Sequence, residues 1–230
     1  MKVMHVVVIA VLIAWPCSGE LNDGERLEII TSHNGIRSSV KTSAANMLEM
    51  IYDTELETKA QTSTVDPCTP TRKTDGKEHV NYATKQEGEA NWTKLIEEWG
   101  KEGESYVYDK NTCGENTDSC KHYLQVIWAA AEKVGCAKKE CTTPSVSGKD
   151  GDKKYAMLCL YNEGPGEDVN TKPYQDGEPC EKCDKTKYPT CPDKLCSANP
   201  AIETTTSSTT CVSSSGGLAM MGLLIGNHFN

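Results

Sequence analysis

Phenylalanine is almost absent from this chain. The one Phe in 230 residues is Phe229, so a packed core has to be assembled from Tyr, Trp, Met and aliphatic side chains. Positive charge is also scarce: 24 Lys and Arg stand against 33 Asp and Glu, for a formal net charge of −9. Nucleic acid and anionic lipid both require a basic surface, and this balance excludes a basic nucleic-acid binder. Long apolar runs are missing too. The run from Val3 to Trp15 ends at Pro16 and falls short of the about 20 residues needed to span a bilayer. Cysteine is abundant, with twelve residues. Without a clear zinc array, that number disfavours a reduced cytosolic compartment.

Composition divides the chain into four expected segments: 1–19, 20–172, 173–197 and 198–230. Lys2, the apolar run and Cys17-Ser18-Gly19 read as a signal peptide with the mature chain starting near Glu20, so the protein is expected to be secreted and extracellular. From 198 onward, the Thr/Ser-rich stretch and the short apolar end read as a disordered, O-glycosylation-prone tail. Small residues Ser213 to Gly217 ahead of Leu218 to Ile225 have some character of a lipid-anchor signal, and membrane contact is expected only if they act as one.

Between these ends the pattern is mixed. Asp23 is expected to cap a helix presenting Leu27, Ile30 and Val40 on one face, with His33, Asn34 and Arg37 on the same element. Further helices are expected from Asp53 and over Glu89 to Trp99, and strands over Val134 to Ala137 and Tyr155 to Tyr161. Helices and strands out of strict alternation indicate an α+β fold. From 173 the spacing Cys180-x2-Cys183-x7-Cys191-x4-Cys196 suits either zinc or, in a secreted chain, two disulfides. Setting aside Cys17 and Cys211 leaves Cys68, Cys113, Cys120, Cys136, Cys141, Cys159 and these four, an even set for five bridges.

Taken together, these segments resemble a known superfamily. His122-Tyr123-Leu124-Gln125-Val126-Ile127-Trp128 followed by Gly135-Cys136 is similar to the G-H-[YF]-T-Q-V-V-W and G-C signature of the cysteine-rich secretory, antigen 5 and pathogenesis-related (SCP) superfamily. Leu158-Cys159-Leu160-Tyr161 with Gly164-Pro165-Gly166-Glu167 resembles its second signature, His33-Asn34-x2-Arg37 its H-N-x-x-R, and Asp53-x2-Leu56-x3-Ala60-Gln61 its W-D-x-x-L-x-x-x-A-Q. The closest resemblance is to the venom-allergen-like branch of parasitic worms. It implies a three-layer α-β-α sandwich with a small antiparallel sheet, followed by a disulfide-rich hinge.

The family places two His and two Glu in a cleft, an arrangement suited to a divalent metal or to acid–base chemistry. Carried over by motif, His122 supplies the second His, Glu98 the second Glu and Glu78 the first Glu. The first His position, four residues after Cys68, holds Arg72. A guanidinium does not ligate metal, so no metal or other cofactor is expected, with His122 and His79 as weak candidate ligands. No catalytic residue is assigned, and His33 and Asn34 are read as structural. Asn91-Trp92-Thr93 is a glycosylation sequon. The expected function is a non-enzymatic binding protein acting on an extracellular protein of host or neighbouring-cell origin, with carriage of a small lipid as the alternative and metal-dependent hydrolysis a remoter one.

Overall fold

The computed structural model describes residues 21–63, 68, 79–114, 117–141, 154–166 and 171–198. Arg72, Glu78, the expected signal peptide and the expected tail from 199 onward lie outside them. Helix α1 runs Asp23–Ser38, strand β1 Ile51–Tyr52, helix α2 Thr54–Thr62 and strand β2 His79–Gln86. They are followed by helix α3 Trp92–Lys101, a short hairpin of β3 (Tyr106–Val107) and β4 (Thr112–Cys113), helix α4 Lys121–Val126, and strands β5 (Lys133–Cys141) and β6 (Lys154–Tyr161).

The main sheet has the order β1-β5-β6-β2. β5, β6 and β2 pair antiparallel, and β1 adds two residues in parallel with β5. Side chains alternate across the sheet, as the two-residue strand period requires. Val134, Cys136, Met157, Cys159 and Tyr161 pack with Ile29, Leu95, Ile96 and Trp99 of the α1/α3 layer. Ala137, Leu158 and Leu160 pack instead with Leu56 and Ala60 of α2. The result is the α-β-α arrangement. Gly135 is needed for it: a Cβ there would lie 2.1 Å from the Glu57 amide and 2.5 Å from the Asp53 carbonyl, so only glycine lets the start of α2 rest on β5.

Local capping explains where the helices begin. Asn22 and Glu25 form a reciprocal capping box at α1, and Asp53 accepts from the Glu55 and Leu56 amides at α2. Asn91 caps α3 through the Lys94 amide. That helix therefore starts after the 3₁₀ turn Glu87–Glu89 rather than within it, and it continues past Trp99 to Lys101. The face of α1 also differs from the sequence expectation. Leu27 is 66% exposed, whereas Ile29, His33 and Arg37, spaced four apart, are buried. Two of these three are polar, so hydrophobic periodicity finds Ile30 and Val40, which pack partly buried against the core, but misses the most buried stripe.

Hydrogen bonding compensates for the burial of these polar groups. Arg37 donates from Nε and Nη2 to the Leu48 carbonyl, from Nη1 to Val126 and Trp128, and from Nη2 to Ala129. Asn34 exchanges both amide bonds with the Met50 backbone. His33 donates from Nδ1 to the Ile29 carbonyl at 2.7 Å, leaving Nε2 to accept from the Tyr161 hydroxyl at 2.9 Å.

Five disulfides join the ten cysteines from Cys68 to Cys196. They are Cys68–Cys141, Cys113–Cys120, Cys136–Cys159, Cys180–Cys191 and Cys183–Cys196. The four hinge cysteines bridge among themselves, and their sulfurs are therefore not thiolate ligands for zinc. The hinge is also sewn to the loop after α1: Cys196 donates to Met47, Glu49 to Cys196, Lys182 to Ala45, and Ala45 to Gln175.

Two predictions follow from the buried polar face. Arg37→Lys keeps a charge but loses the planar five-donor fork, and each carbonyl left unpaired costs about 1–3 kcal/mol. With the bridges intact, urea denaturation is expected to show a loss of about 3 kcal/mol or more; a loss below about 1 kcal/mol would remove Arg37 from its central place. The second concerns acid. Burial lowers the His33 pKa from 6.5 to about 4, with the Arg37 charge adding to the effect and the Ile29 hydrogen bond opposing it. On acidification the unfolded chain takes up this proton first, so stability falls from pH about 6.5 to about 4, by on the order of 3 kcal/mol in total, and is unaffected by this group above that window. In His33→Gln, which cannot titrate, denaturation midpoints measured across the same range should lose that component.

Candidate functional site

α3 and the 3₁₀ turn after it, Glu102–Glu104, run up against α4, and the candidate site forms where they meet. Glu102 opens the turn. Its Oε1 accepts from His122 Nδ1 at 2.6 Å, while Oε2 accepts from the His122 amide at 2.9 Å and the Tyr123 amide at 3.1 Å. One carboxylate thus caps the first turn of α4, where the helix dipole favours negative charge, and fixes the imidazole. Trp99 stacks on that ring at a centroid distance of 5.7 Å and an angle of 20°. Gly103 completes the junction, since a Cβ there would sit 2.7 Å from the Tyr123 ring.

With Nδ1 held, His122 can offer Nε2. It lines a cleft of about 180 Å³ together with His79, Asn81, Lys121, Gln125 and Pro165. Gly164 forms part of the surroundings: a Cβ on it would fall 2.2 Å from Gln125 Oε1 and 2.6 Å from His79 Nδ1. Beneath the cleft runs a neutral hydrogen-bond chain. Asn81 donates to the His122 carbonyl at 3.0 Å and to the Tyr161 hydroxyl at 3.3 Å, and Tyr161 donates to His33. Burial pushes the Tyr161 phenol upward and the His33 imidazole downward, so both stay uncharged near neutral pH.

The sequence-derived site is therefore only partly assembled. His122 and His79 line one cleft. Glu98 is not the carboxylate on His122: it is half exposed and pairs with Lys85, and Glu102 takes that position. The signal was in the sequence as Trp99-Gly100-Lys101-Glu102, which satisfies a W-x-x-E pattern without help from Leu95. Glu78 and Arg72 lie outside the described residues.

Among the described residues, the only group of three or more His, Cys, Asp or Glu side chains close enough to share a metal is Cys180, Cys183 and Cys196, and their sulfurs are tied up in disulfides. Among the described residues, the cleft sets two imidazoles beside the Lys121 ammonium, and the Glu102 carboxylate on His122 is committed to α4. The described residues alone do not make up a zinc site, which takes three or four N, S or O ligands.

A disulfide-braced α-β-α sandwich with a carboxylate-held histidine at its edge defines the class. The chain belongs to the Cysteine-rich secretory protein (CAP) family, whose family model matches residues 30–161, more than half its length. Human peptidase inhibitor 16 is 32% identical over 179 residues, which is 77% of this chain and 37% of that protein. Human cysteine-rich secretory protein LCCL domain-containing 2 is 28% identical over 75% of this chain and 36% of its own length. The chain thus spans about a third of these relatives. Among solved structures, a hookworm platelet inhibitor superposes with a TM-score of 0.62 at 22% identity, covering 79% of this chain and 94% of that one. NaASP2 with Zn2+ gives a TM-score of 0.56 at 24% identity, covering 79% and 99%. Both likenesses concern the fold. Among the described residues, no helix is long and apolar enough to cross a membrane.

Glu102 and Glu98 make contrasting predictions. Glu102→Ala strips α4 of its cap and His122 of its partner and is expected to cost about 2–3 kcal/mol, in the range of hydrogen bonds to a charged group. Glu98→Ala breaks one half-exposed ion pair and should change stability by less than about 1 kcal/mol. Parallel urea denaturation of the two variants decides between them; equal losses would contradict the distinction.

Proposed function

We propose that this chain is a secreted, non-enzymatic binding protein that acts on extracellular targets of host or neighbouring-cell origin. The observation that carries this reading is the use made of Glu102. Both carboxylate oxygens are spent on the His122 imidazole and on the His122 and Tyr123 amides in the first turn of α4. A general base has to be within reach of a substrate proton, and this carboxylate instead lies behind the cleft, holding His122 and the first turn of α4. The relative named peptidase inhibitor 16 is described by what it blocks, which agrees with a role exercised through binding. Five disulfides make a surface that keeps its shape outside the cell. A glycan at Asn91 is compatible with the same surface: Oδ1 caps α3, and Nδ2 is the atom that carries sugar.

Calorimetry and peptidase assays on the full secreted chain test this. Zinc should bind weakly or not at all, and no proteolysis should depend on added metal. Arg72→His, which places a third imidazole in the chain near this cleft by the family motif, is expected to raise zinc affinity. Tight zinc binding by the natural chain, or hydrolysis that vanishes in both Glu102→Ala and His122→Ala while each remains folded, would overturn the non-enzymatic reading. Solvent extraction of the native protein followed by mass spectrometry tests the lipid-carrier alternative, which gains support from a stoichiometric sterol or fatty acid.

A further inference from the structure

A second cavity, of about 210 Å³, shares no lining residue with the His122 cleft. Four tyrosines, Tyr106, Tyr108, Tyr123 and Tyr174, form its walls, and each is at least nine-tenths buried. Their rings face different ways. Tyr106 stands at 85° to Tyr108 and 55° to Tyr123, while Tyr174 lies nearly parallel to Tyr108 at 4.7 Å. Rings set at such angles make the corner of a box. Two of the walls are pinned by hydrogen bonds: the Tyr106 hydroxyl donates to Asn111 at 2.8 Å and the Tyr108 hydroxyl to the Tyr174 carbonyl at 2.9 Å. Burial pushes all four phenols above their ordinary value, so the walls are neutral.

The chemistry of such a box favours cations, because aromatic faces carry negative charge density. Outside the box, on the side of a neighbouring cavity, the Lys172 ammonium sits 4.1 Å from the centre of the Tyr108 ring. A primary ammonium ion is strongly hydrated and gains little from a neutral aromatic wall. A quaternary ammonium ion is weakly hydrated, and aromatic cages are a known means of recognising it. The rim adds a second criterion. It carries one exposed charge of each sign, Lys41 and Asp109. A ligand matched to both box and rim is a zwitterion with a bulky methylated cation and an adjacent anion.

We propose that this four-tyrosine box binds the phosphocholine group, with the trimethylammonium against the rings and the phosphate toward Lys41. The source is either the headgroup of a choline phospholipid or phosphocholine free or attached to a soluble molecule. This inference does not rest on the function proposed above, since a protein target could be engaged whether or not the box is filled.

Calorimetric titration of the full secreted chain with phosphocholine, phosphoethanolamine and inorganic phosphate tests it. Phosphocholine is expected to bind saturably and at least tenfold more tightly than either of the others. Tyr106→Phe keeps the ring and should retain binding, whereas Tyr106→Leu should weaken it at least tenfold. Because a core variant can misfold, the exposed Lys41→Glu serves as the independent check and should also weaken phosphocholine tenfold while leaving the melting temperature unchanged. Sedimentation with phosphatidylcholine vesicles, against phosphatidylethanolamine vesicles, separates the sources: selective co-sedimentation supports the lipid headgroup, and binding of soluble phosphocholine without it supports the soluble form. Absence of saturable binding at millimolar phosphocholine, equal affinity for phosphoethanolamine, or indifference to Lys41→Glu would overturn the proposal.

Discussion

Most of this fold depends on one buried guanidinium. Arg37 is 1% exposed and has no carboxylate among the partners of its five donors, which all go to main-chain carbonyls. Such a charge is tolerable only because the carbonyls come from where negative dipole accumulates. Val126 ends α4, and Trp128 and Ala129 follow directly, at the negative end of the helix dipole. Leu48 belongs to the loop that the hinge grips through Met47 and Glu49. A single side chain on α1 therefore ties together a helix end, the strap between α1 and β1, and indirectly the cysteine-rich segment. Burial pulls its pKa down to about 9, still well above neutral.

This charge shapes what surrounds it. His33 lies one turn away on the same face of α1, and a second positive charge beside Arg37 would find no compensation there. The imidazole is held neutral and accepts from Tyr161, which accepts from Asn81, which also secures the α4 backbone at His122. The cleft histidine thus rests on a chain of uncharged groups that begins next to the buried arginine. α4, only six residues long, is clamped at both ends: Glu102 on its first amides and Arg37 on its last carbonyls. Each end receives the sign of charge that the helix dipole calls for.

Legibility from the sequence followed physical range. Short-range signals were readable. They include the start of α2 near Asp53, the strand cores around Val134 and Tyr155, the even set of cysteines, and the structural roles of His33 and Asn34, whereas the cap of α1 falls on Asn22, one residue before the expected Asp23. The buried face of α1 was not fully so, because a hydrophobic pattern counts Leu27 and discounts His33 and Arg37, whose burial depends on hydrogen-bond partners up to 128 positions away in sequence. β2 was also missed. Its His-Val-Asn-Tyr-Ala-Thr-Lys-Gln sequence has weak alternation and becomes a strand by pairing along β6. Glu102 was missed because the motif was laid one helical turn early, on Leu95 to Glu98 within α3, whereas Trp99 to Glu102 carries it across the end of that helix.

The same logic separates the two cavities. In the His122 cleft two amides are tied to the scaffold, Asn81 to Tyr161 and His122, and Gln125 to the Glu163 carbonyl at 2.8 Å, while Glu102 behind it holds His122 Nδ1. Groups tied in this way give rigidity and fix the orientation of the His122 ring. The tyrosine box is organised differently. Its hydroxyls at Tyr106 and Tyr108 are turned to scaffold partners, which leaves aromatic surface as the means of recognition. Preorganised walls lose little entropy when a ligand enters, and that saving appears as affinity. A chain with one Phe and nine Tyr has built its aromatic core from rings whose polar ends need anchoring. At this cavity the anchoring holds ring faces in fixed orientations, so that the same substitution that supplies the core also supplies a binding surface.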